Sequence, residues 1–403
     1  MSYNLGMMRR LPVVLLTRVF ILLSAVATGL PCTWDYPIWM IRSKSADPLY
    51  RFVLHGKVGY INGSGKIVIK PTFDAFGNYG GEFHDGLMEI GASGGRYVDT
   101  TGRLVIDKGF YRGWDFSEGL AVAMQKDGEK WGFIDRTGQF AISPRFDTYP
   151  NGYPDSFSEG LAEIEVSQKV GYIDRSGEFV IKPQFLDGTR FHDSVARVVA
   201  EGPCMFLGDG PCPDFRVLPR SAKTDSQVPS CRFTFIDKSG KVISAIRYDG
   251  AKDFSEGLAA VRIGSDWGYI DKTTAIVIPP RFDEAEPFSN GLARVKKGSL
   301  YAYINGKGDF VIPLQFSWAD DFSEGLAAVG KWSEDGTGEF WYINQKGTQV
   351  IPDRFALASH FFQGRAHVKL LGKSSREEFR DQGTFAYIDT NGKIVFKYER
   401  GDP

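Results

Sequence analysis

Apolar and polar positions follow one short pattern that recurs along most of the chain. Each copy places an aromatic residue third, Ile or Val fourth, Asp or Asn fifth and, in eight of nine copies, Gly eighth; Thr274 is the exception. The copies are VGYINGSG (58–65), GRYVDTTG (95–102), WGFIDRTG (131–138), VGYIDRSG (170–177), FTFIDKSG (233–240), WGYIDKTT (267–274), YAYINGKG (301–308), FWYINQKG (340–347) and FAYIDTNG (385–392). Adjacent aromatic and β-branched residues point to opposite faces of a strand, so the pattern predicts strands buried on both faces.

The Asp-x-x-Gly part of the pattern predicts a hairpin turn. The Asp or Asn side chain can bond to its own backbone two residues on, and Gly supplies the positive φ that follows. A row of catalytic or metal-binding carboxylates is the alternative interpretation. Asn62, Asn305 and Asn344 replace Asp in three copies, a change that a turn tolerates, so we interpret these residues as turn formers.

Two further phrases accompany each turn. A short apolar run ending in proline follows it, as in KIVIKPTF (66–73) and DFVIPLQF (309–316); proline cannot donate to a strand ladder and so ends the strand. A phrase close to Phe-Ser-Glu-Gly-Leu then precedes another apolar run. Its copies begin at Phe83, Phe116, Phe157, Phe191, Phe254, Phe288, Phe322 and Phe362. Together the phrases predict three strands per unit, with about 34 residues in the cleanest units.

The expected fold is therefore all-β, a repeat array of short antiparallel strands. One such unit cannot bury its aromatics alone, so stacked neighbours must form the core. We expect about nine units over residues 50–396, a lead-in at 28–49 and a tail at 397–403. An open β-solenoid or superhelix is the favoured arrangement, and a closed β-propeller-like ring is the alternative, because propeller blades usually have four strands.

The Trp-Gly-[Tyr/Phe]-Ile-Asp turn and the Phe-Ser-Glu-Gly-Leu phrase together resemble the bacterial WG-repeat family. The resemblance covers about residues 50–396, although only Trp131-Gly132 and Trp267-Gly268 are intact Trp-Gly pairs. It implies a binding or scaffold role, and it implies no defined activity. The missing Trp residues argue against a uniform ladder of ligand-binding aromatics.

The first 27 residues differ from the repeats. Arg9 and Arg10 precede an apolar run that ends in Ala25-Val26-Ala27, a pattern typical of a signal peptide. An uncleaved N-terminal anchor is the alternative. Cleavage would remove three arginines and no acid, leaving a net charge near −4. We expect an exported protein, periplasmic or extracellular, with no transmembrane span in its mature part.

The largest break in the repeats is an insertion at about 201–231. It contains Cys204, Cys212 and Cys231, and Cys32 is the fourth cysteine of the chain. In an exported protein we expect a disulfide. Cys204 with Cys212 is the favoured pair, but four cysteines leave the pairing open. The spacing matches no zinc pattern.

Candidate catalytic residues are few. His84 and His192 replace Ser in two Phe-Ser-Glu-Gly-Leu copies, and each precedes Asp; we interpret both as substitutions at a turn, because adjacency in sequence does not position an acid–base pair. Glu118, Glu159, Glu256 and Glu324 recur at one repeat position, which argues against the paired carboxylates of a glycosidase. No catalytic, cofactor-binding or metal-ligating residue is assigned.

Composition agrees with a binding role. The chain has 48 basic and 49 acidic residues, so no nucleic-acid surface is expected. We expect a non-enzymatic exported module that binds a protein or a cell-envelope polysaccharide. The alternative is a glycan-acting hydrolase with its site near the 201–231 insertion.

Overall fold

The computed structural model describes residues 48–74, 81–90, 95–147, 154–201, 232–333, 338–372 and 383–400. The expected signal peptide (1–27), most of the lead-in (28–49) and all four cysteines lie outside these residues. The described chain contains strands, turns and bends, and its strands form antiparallel sheets joined in sequence. The expectation of an all-β repeat array is confirmed.

Nine successive sheets, I to IX, are built in chain order, the last two joined into one seven-stranded sheet. Sheet I contains β1 (Leu49–Leu54), β2 (Lys57–Asn62) and β3 (Ile67–Asp74); sheet II contains β4 (Leu87–Ile90), β5 (Arg96–Asp99) and β6 (Leu104–Ile106). Sheet III contains β7 (Arg112–Gly113), β8 (Leu120–Met124), β9 (Trp131–Asp135) and β10 (Phe140–Phe146); sheet IV contains β11 (Ala162–Val166), β12 (Lys169–Ile173) and β13 (Phe179–Phe185).

Sheet V contains β14 (Asp187–Gly188), β15 (Val195–Glu201) and β16 (Arg232–Asp237); sheet VI contains β17 (Gly250–Ala251), β18 (Leu258–Ile263), β19 (Asp266–Asp271) and β20 (Ile276–Phe282). Sheet VII contains β21 (Glu284–Ser289), β22 (Leu292–Lys297), β23 (Leu300–Ile304) and β24 (Phe310–Phe316); sheet VIII contains β25 (Trp318–Ala319), β26 (Leu326–Trp332) and β27 (Gly338–Asn344). Sheet IX contains β28 (Phe355–Ala358), β29 (Ala366–Leu370), β30 (Gly383–Ile388) and β31 (Ile394–Arg400), which runs beyond residue 396.

A complete sheet has four strands, as in sheets III, VI, VII and IX, so the expectation of three per unit was wrong. The strands given for sheets I, II and IV are the second, third and fourth of this pattern, and those given for sheets V and VIII are the first, second and third. In sheet VI the additional strand is β17, which pairs with β18 through only Gly250 and Ala251. The Phe-Ser-Glu-Gly-Leu phrase is the turn between these two strands. Glu256 and Gly257 both have positive φ, and the Ser255 and Leu258 backbones exchange hydrogen bonds of 2.9 and 3.1 Å. These are features of a two-residue type I′ hairpin.

Aromatic contacts between neighbouring sheets form the core. The third-position aromatic of each of the first eight turn motifs packs against the Phe that opens the next sheet's hairpin. Ring centroids are 4.7–5.1 Å apart in the pairs Tyr60–Phe83, Tyr97–Phe116, Phe133–Phe157, Tyr172–Phe191, Phe235–Phe254, Tyr269–Phe288, Tyr303–Phe322 and Tyr342–Phe361. The last pair shows that the final copy begins at Phe361, one residue before the expected Phe362.

The array closes on itself, as in the alternative expectation. Tyr387 of sheet IX lies 5.5 Å from Tyr50 of sheet I and donates a 2.5 Å hydrogen bond to the Arg51 carbonyl. Arg365 donates a 2.9 Å hydrogen bond from Nε to the Gly63 carbonyl. These residues are more than 300 positions apart in the chain, so sheets IX and I complete a ring.

The ring has an inner and an outer edge. Hairpins between the first two strands of neighbouring sheets hydrogen-bond directly, as Ser255 Oγ does to the Phe288 carbonyl at 2.7 Å. The fourth strands alternate buried and exposed positions and begin with two exposed apolar residues, such as Ile276 and Val277. We infer that the first strands lie nearest the ring axis and that the fourth strands form the rim.

Antiparallel strand order gives the ring two different faces. The turn face carries the hairpins between first and second strands and the Asp/Asn-x-x-Gly turns between third and fourth strands. The connection face carries the links between second and third strands and the links from one sheet to the next. The 201–231 insertion joins β15 to β16, so it starts and ends on the connection face.

Removing the hydroxyl of Tyr387 tests the ring closure. Tyr387→Phe leaves the Arg51 carbonyl without this donor, and we expect a loss of about 1–2 kcal/mol in the free energy of unfolding. Tyr269→Phe is the matched control, since Tyr269 donates the equivalent 2.8 Å bond to the Glu286 carbonyl between sheets VI and VII. Urea unfolding measures both variants. An effect of Tyr269→Phe alone would show that sheets I and IX do not meet in solution.

Thr274 holds the turn position that is Gly in the other eight copies, and its φ is 67°. A β-branched residue is strained in this region, so Thr274→Gly is expected to raise the free energy of unfolding by about 1 kcal/mol. Gly308→Thr, at the equivalent turn of sheet VII, should lower it, because an added Cβ would lie 3.0 Å from Ile278 Cγ2. Thermal unfolding of both variants checks the opposite signs, and a destabilising Thr274→Gly would contradict the strain argument.

Candidate functional site

The turn-face carboxylates are used by their own turns. Asp135 Oδ1 accepts hydrogen bonds from the Thr137 amide at 2.8 Å and the Gln139 amide at 3.1 Å. The hydrogen bond from the Thr137 hydroxyl lowers the pKa of Asp135, and the two amides contribute. Asn305 Oδ1 accepts the equivalent pair of amide bonds at 2.9 and 3.0 Å. The turn interpretation of the repeated Asp and Asn is confirmed.

The repeated hairpin carboxylates join one sheet to the next. Glu256 Oε2 accepts a 2.9 Å hydrogen bond from the Gly291 amide of the following sheet. The same link is made by Asp85 to Gly119, Glu118 to Gly160, Glu159 to Ser194, Asp193 to Gly257, Asn290 to Gly325 and Glu324 to Gly364. Each of these acceptors caps the neighbouring sheet's turn, which the sequence did not reveal. They form a structural chain of links along the turn face.

The connection face varies where the turn face repeats. Its links between second and third strands range from residues 55–56, between β1 and β2, to residues 202–231, between β15 and β16. Four exposed apolar side chains lie here, outside the rim: Tyr111, Ile263, Leu300 and Leu371. Insertions in repeat proteins collect on one face, which is often the binding face. The connection face is therefore the candidate binding face.

The repeated aromatics do not provide a surface ladder. Trp131 and Trp267 of the two Trp-Gly pairs are 1% and 8% exposed, and the third-position aromatics are buried between sheets. Gly132 is needed beside Trp131, since an added Cβ would lie 2.6 Å from the Ile142 carbonyl oxygen. Exposed aromatics in the described chain are Tyr111, Phe179 and Phe310, which do not form a row.

Buried ion pairs cross several sheet-to-sheet contacts near the ring axis. Arg197 of β15 and Arg294 of β22 each lie opposite the third-position aromatic of their own sheet. Their partners are the acids that directly precede the next sheet's Phe: Arg197 Nε lies 3.4 Å from Asp253 and Arg294 Nε lies 3.0 Å from Asp321. Pairing compensates the cost of removing these charges from water.

Lys252 makes a further pair across the contact between sheets VI and VII. Its Nζ lies 2.9 Å from Glu286 Oε2. Burial alone would raise the pKa of Glu286, but Lys252 and Arg294 lower it below its ordinary value. Glu286 is therefore a carboxylate at neutral pH, and this junction is electrically balanced.

At the contact between sheets II and III, the buried charged residues are not paired with opposite charges in the same way. Glu89 lies opposite Tyr97, the position that arginine takes in sheets V and VII, and Asp115 keeps the acidic position before Phe116. Glu89 is 5% exposed, and its Oε1 accepts a 3.1 Å bond from the Gly95 amide. Burial, with the nearby charge of Asp115 adding to it, raises the pKa of Glu89 to about 8. Glu89 is thus largely protonated at pH 7.

His84 belongs to the same junction. Its Nε2 lies 3.4 Å from Asp115 Oδ2 and 4.0 Å from Glu82 Oε2. The structure thus brings one sequence-selected histidine together with three acids that sequence reasoning missed. Glu89 stands at a strand position where sheets III, VI and VIII have Val122, Ala260 and Ala328. Sheet IV also has an acid there, Glu163 opposite Tyr172, so the sequence alone did not single out Glu89.

The other histidines lie elsewhere. His192 is buried in the hairpin of sheet V, and burial lowers its pKa. His360 Nδ1 lies 3.9 Å from Asp320, while His367 Nε2 is 2.9 Å from the Tyr398 hydroxyl. Burial lowers the pKa of His367 to about 4. His55 has positive φ in an exposed turn.

Metal binding and membrane crossing are the two further properties on which the described residues bear. Within it, no group of three or more His, Cys, Asp or Glu residues is placed to hold a metal ion. No described helix is long and apolar enough to cross a membrane.

The nine linked sheets define a β-repeat ring of the propeller type. One solved structure in particular shares this fold. The crystal structure of the eukaryotic initiation factor aligns with a TM-score of 0.59 and 11% identity, covering 88% of this chain and 96% of that one. Apo AztD from Citrobacter koseri aligns with a TM-score of 0.40 and 12% identity, covering 78% and 92%. At 11% identity the likeness to the initiation factor concerns the fold alone.

The chain belongs to the WG containing repeat family. The family model matches residues 59–84, 96–128, 131–169, 171–202, 233–265, 267–301, 301–331 and 342–373, together more than half of the chain. The expected resemblance is confirmed for the family. A search of curated proteins found no match.

The protonated state of Glu89 makes stability depend on pH. In the unfolded chain Glu89 titrates near 4.5, whereas folding raises its pKa to about 8. Below about pH 4.5 both states hold the proton; as pH rises towards 8 only the unfolded state releases it, so stability is lost across this window. We expect Glu89→Gln, which never ionises, to gain stability over the parent by several kcal/mol between pH 5 and pH 8.

The measurement is urea unfolding of the parent and of Glu89→Gln at a series of pH values. Asp115→Asn serves as the second variant, because removing the Asp115 charge should lower the pKa of Glu89 and flatten part of the same dependence. A constant difference between Glu89→Gln and the parent from pH 5 to pH 8 would contradict a buried, protonated Glu89.

Proposed function

We propose that this protein is an exported, non-enzymatic binding or scaffold module that engages a protein or a cell-envelope polysaccharide through its connection face. Membership of the WG containing repeat family, which suggests a binding or scaffold module, supports the general role. The observation that carries the choice of face is the contrast between the two faces. On the turn face, side chains form repeated hydrogen bonds between neighbouring sheets. On the connection face, the loops vary in length, and four apolar side chains are exposed: Tyr111, Ile263, Leu300 and Leu371.

Export rests on the N-terminal segment. Residues 1–27 have the charge and hydropathy pattern of a signal peptide. The four cysteines would then lie in a compartment where disulfides persist. We propose a periplasmic or extracellular location for the mature chain.

A depletion assay tests the binding proposal. The chain from residue 28 is mixed with peptidoglycan, with insoluble polysaccharides and with envelope extract, and the unbound fraction is measured. We expect saturable binding to one of them, and Ile263→Ala with Leu300→Ala should weaken it about tenfold or more, because buried apolar anchors dominate interface energy.

The matched control changes the other face. Lys307 and Lys346 are exposed residues in the turn-face turns of sheets VII and VIII, and Lys307→Ala with Lys346→Ala should bind as the parent does. Loss of binding in this control but not in the apolar variant would reverse the assignment of the faces. Absence of binding to any glycan, with retention by protein extract, would remove the polysaccharide and leave a protein partner.

A glycan-acting hydrolase is the second candidate. It was expected near the 201–231 insertion, which joins strands of sheet V, whereas the unusual acids lie between sheets II and III. Glu89 supports it, because a buried carboxyl group whose pKa is raised to about 8, with a second carboxyl group, Asp115, nearby, is the arrangement of a general acid and its partner. Release of reducing sugar that Glu89→Gln abolishes, with binding unchanged, would establish the hydrolase and overturn the non-enzymatic proposal.

A further inference from the structure

The rim of the ring exposes apolar residues in nearly every sheet. The first two positions of the fourth strands are exposed pairs in sheets I, II, IV, VI and VII: Ile67 with Val68, Leu104 with Val105, Phe179 with Val180, Ile276 with Val277 and Phe310 with Val311. Their recurrence makes them part of the repeat. By themselves they therefore select no partner and no side of the ring.

The number of exposed lysines in the outer-strand segments differs around the ring. The fourth strand of sheet I carries Lys66 and Lys70 around Ile67 and Val68, and that of sheet IX carries Lys393 and Lys397 around Ile394. All four lysines are exposed, and no carboxylate in the described chain forms an ion pair with them. The corresponding segments of sheets IV and V each have one exposed lysine, Lys182 and Lys241. Those of sheets VI and VII, AIVIPPRF (275–282) and DFVIPLQF (309–316), contain no lysine. Two exposed lysines around the apolar residues are therefore a feature of sheets I and IX.

These lysines lie on one continuous surface. The turn before β3 touches β31, since a Cβ added to Gly65 would lie 3.0 Å from Val395 Cγ1. The turn before β6 touches β3 in the same way, with Gly102 3.3 Å from Ile69 Cγ2. The outer strands of sheets IX, I and II are therefore neighbours along the rim. Sheet II extends the surface with Arg103, Leu104 and Val105. We call this surface, formed by 393–397, 66–70 and 103–105, the basic rim.

We propose that the basic rim binds the surface of an anionic lipid bilayer. The chemistry is that of peripheral membrane proteins, in which apolar side chains enter the interface while lysines meet lipid phosphates. Lysine stems can lie along the apolar residues and present the ammonium outward. Ile394 and Leu104 are 45% and 43% exposed, so the apolar residues at both ends of the surface are accessible. The chain that precedes the described residues joins the ring at sheet I, the middle sheet of the three.

An edge strand could instead recruit another strand. The rim opposes this, because Pro71 in β3 interrupts the row of amide donors that strand pairing requires. The unpaired lysines also disfavour a second copy docking rim to rim, since like charges would face each other. Charge complementarity therefore favours the anionic bilayer.

The test measures sedimentation of the full chain with vesicles of phosphatidylcholine, with and without phosphatidylglycerol. We expect binding that needs phosphatidylglycerol and weakens with salt. Replacing Lys66, Lys70, Lys393 and Lys397 by Gln should reduce the partition coefficient about fivefold per lysine, so by two to three orders of magnitude in all. The variant with Lys307→Gln and Lys346→Gln is the control and should partition as the parent does.

Hydrogen exchange locates the contact, because the basic N-terminal segment of the full chain can also meet the vesicles. We expect phosphatidylglycerol vesicles to slow exchange in 66–70, 103–106 and 393–397 but not in the outer strands of sheets VI and VII. Equal protection of all outer strands, unchanged binding of the four-lysine variant, or equal binding to pure phosphatidylcholine would overturn the proposal. Protection that rises with protein concentration without lipid would assign the rim to a second copy. None of these outcomes depends on the connection face binding its own partner.

Discussion

The aromatic pair between neighbouring sheets is the contact on which this protein depends. Every sheet from I to VIII places a Tyr or Phe against the opening Phe of the next sheet, at centroid distances of 4.7–5.1 Å and interplanar angles of 61–73°. Edge-to-face pairs of this kind add about 0.5–1.5 kcal/mol to the burial of two large apolar surfaces. A single sheet has no partner for its aromatic, and an open array would expose Tyr387 at one end and Tyr50 at the other. Ring closure solves both problems with one contact.

The polar links follow from this stacking. Sheets that stack through aromatics bring their hairpins together, so the Ser hydroxyl and Glu carboxylate of one hairpin reach the backbone of the next. Glu256 sits at positive φ, a conformation that costs a non-glycine residue energy, and its bond to the Gly291 amide offsets that cost. The repeated polar side chains of the turn face are therefore used in hydrogen bonds that hold neighbouring sheets together. The loops of the connection face do not form these repeated links, so their length and sequence can vary.

The sequence analysis predicted the features that depend on residues close together in the chain. The aromatic–Ile–Asp order, the turn and the burial of both strand faces depend on neighbouring residues, and each is confirmed by Tyr269, Ile270 and Asp271 of sheet VI. The first strand was missed because it has only two paired residues, Gly250 and Ala251, too few to show a period. Closure was unpredictable for another reason: it depends on the angle between stacked sheets, which no single unit encodes.

The buried acid at Glu89 shows the same limit at a site. Its strand position became meaningful only once the register placed it opposite Tyr97, where arginine stands in sheets V and VII. Repetition then makes the deviation informative, because the same two positions are filled by Arg197 with Asp253 and by Arg294 with Asp321. Sheet IV also has an acid at this position, Glu163 opposite Tyr172. Sheets III, VI and VIII have Val122, Ala260 and Ala328 there, so a charge at this position is not needed to build the ring. In the folded protein Glu89 keeps its proton at neutral pH, because burial raises its pKa to about 8. The junction between sheets II and III therefore contains a buried, protonated carboxyl group that the stacking of sheets does not require.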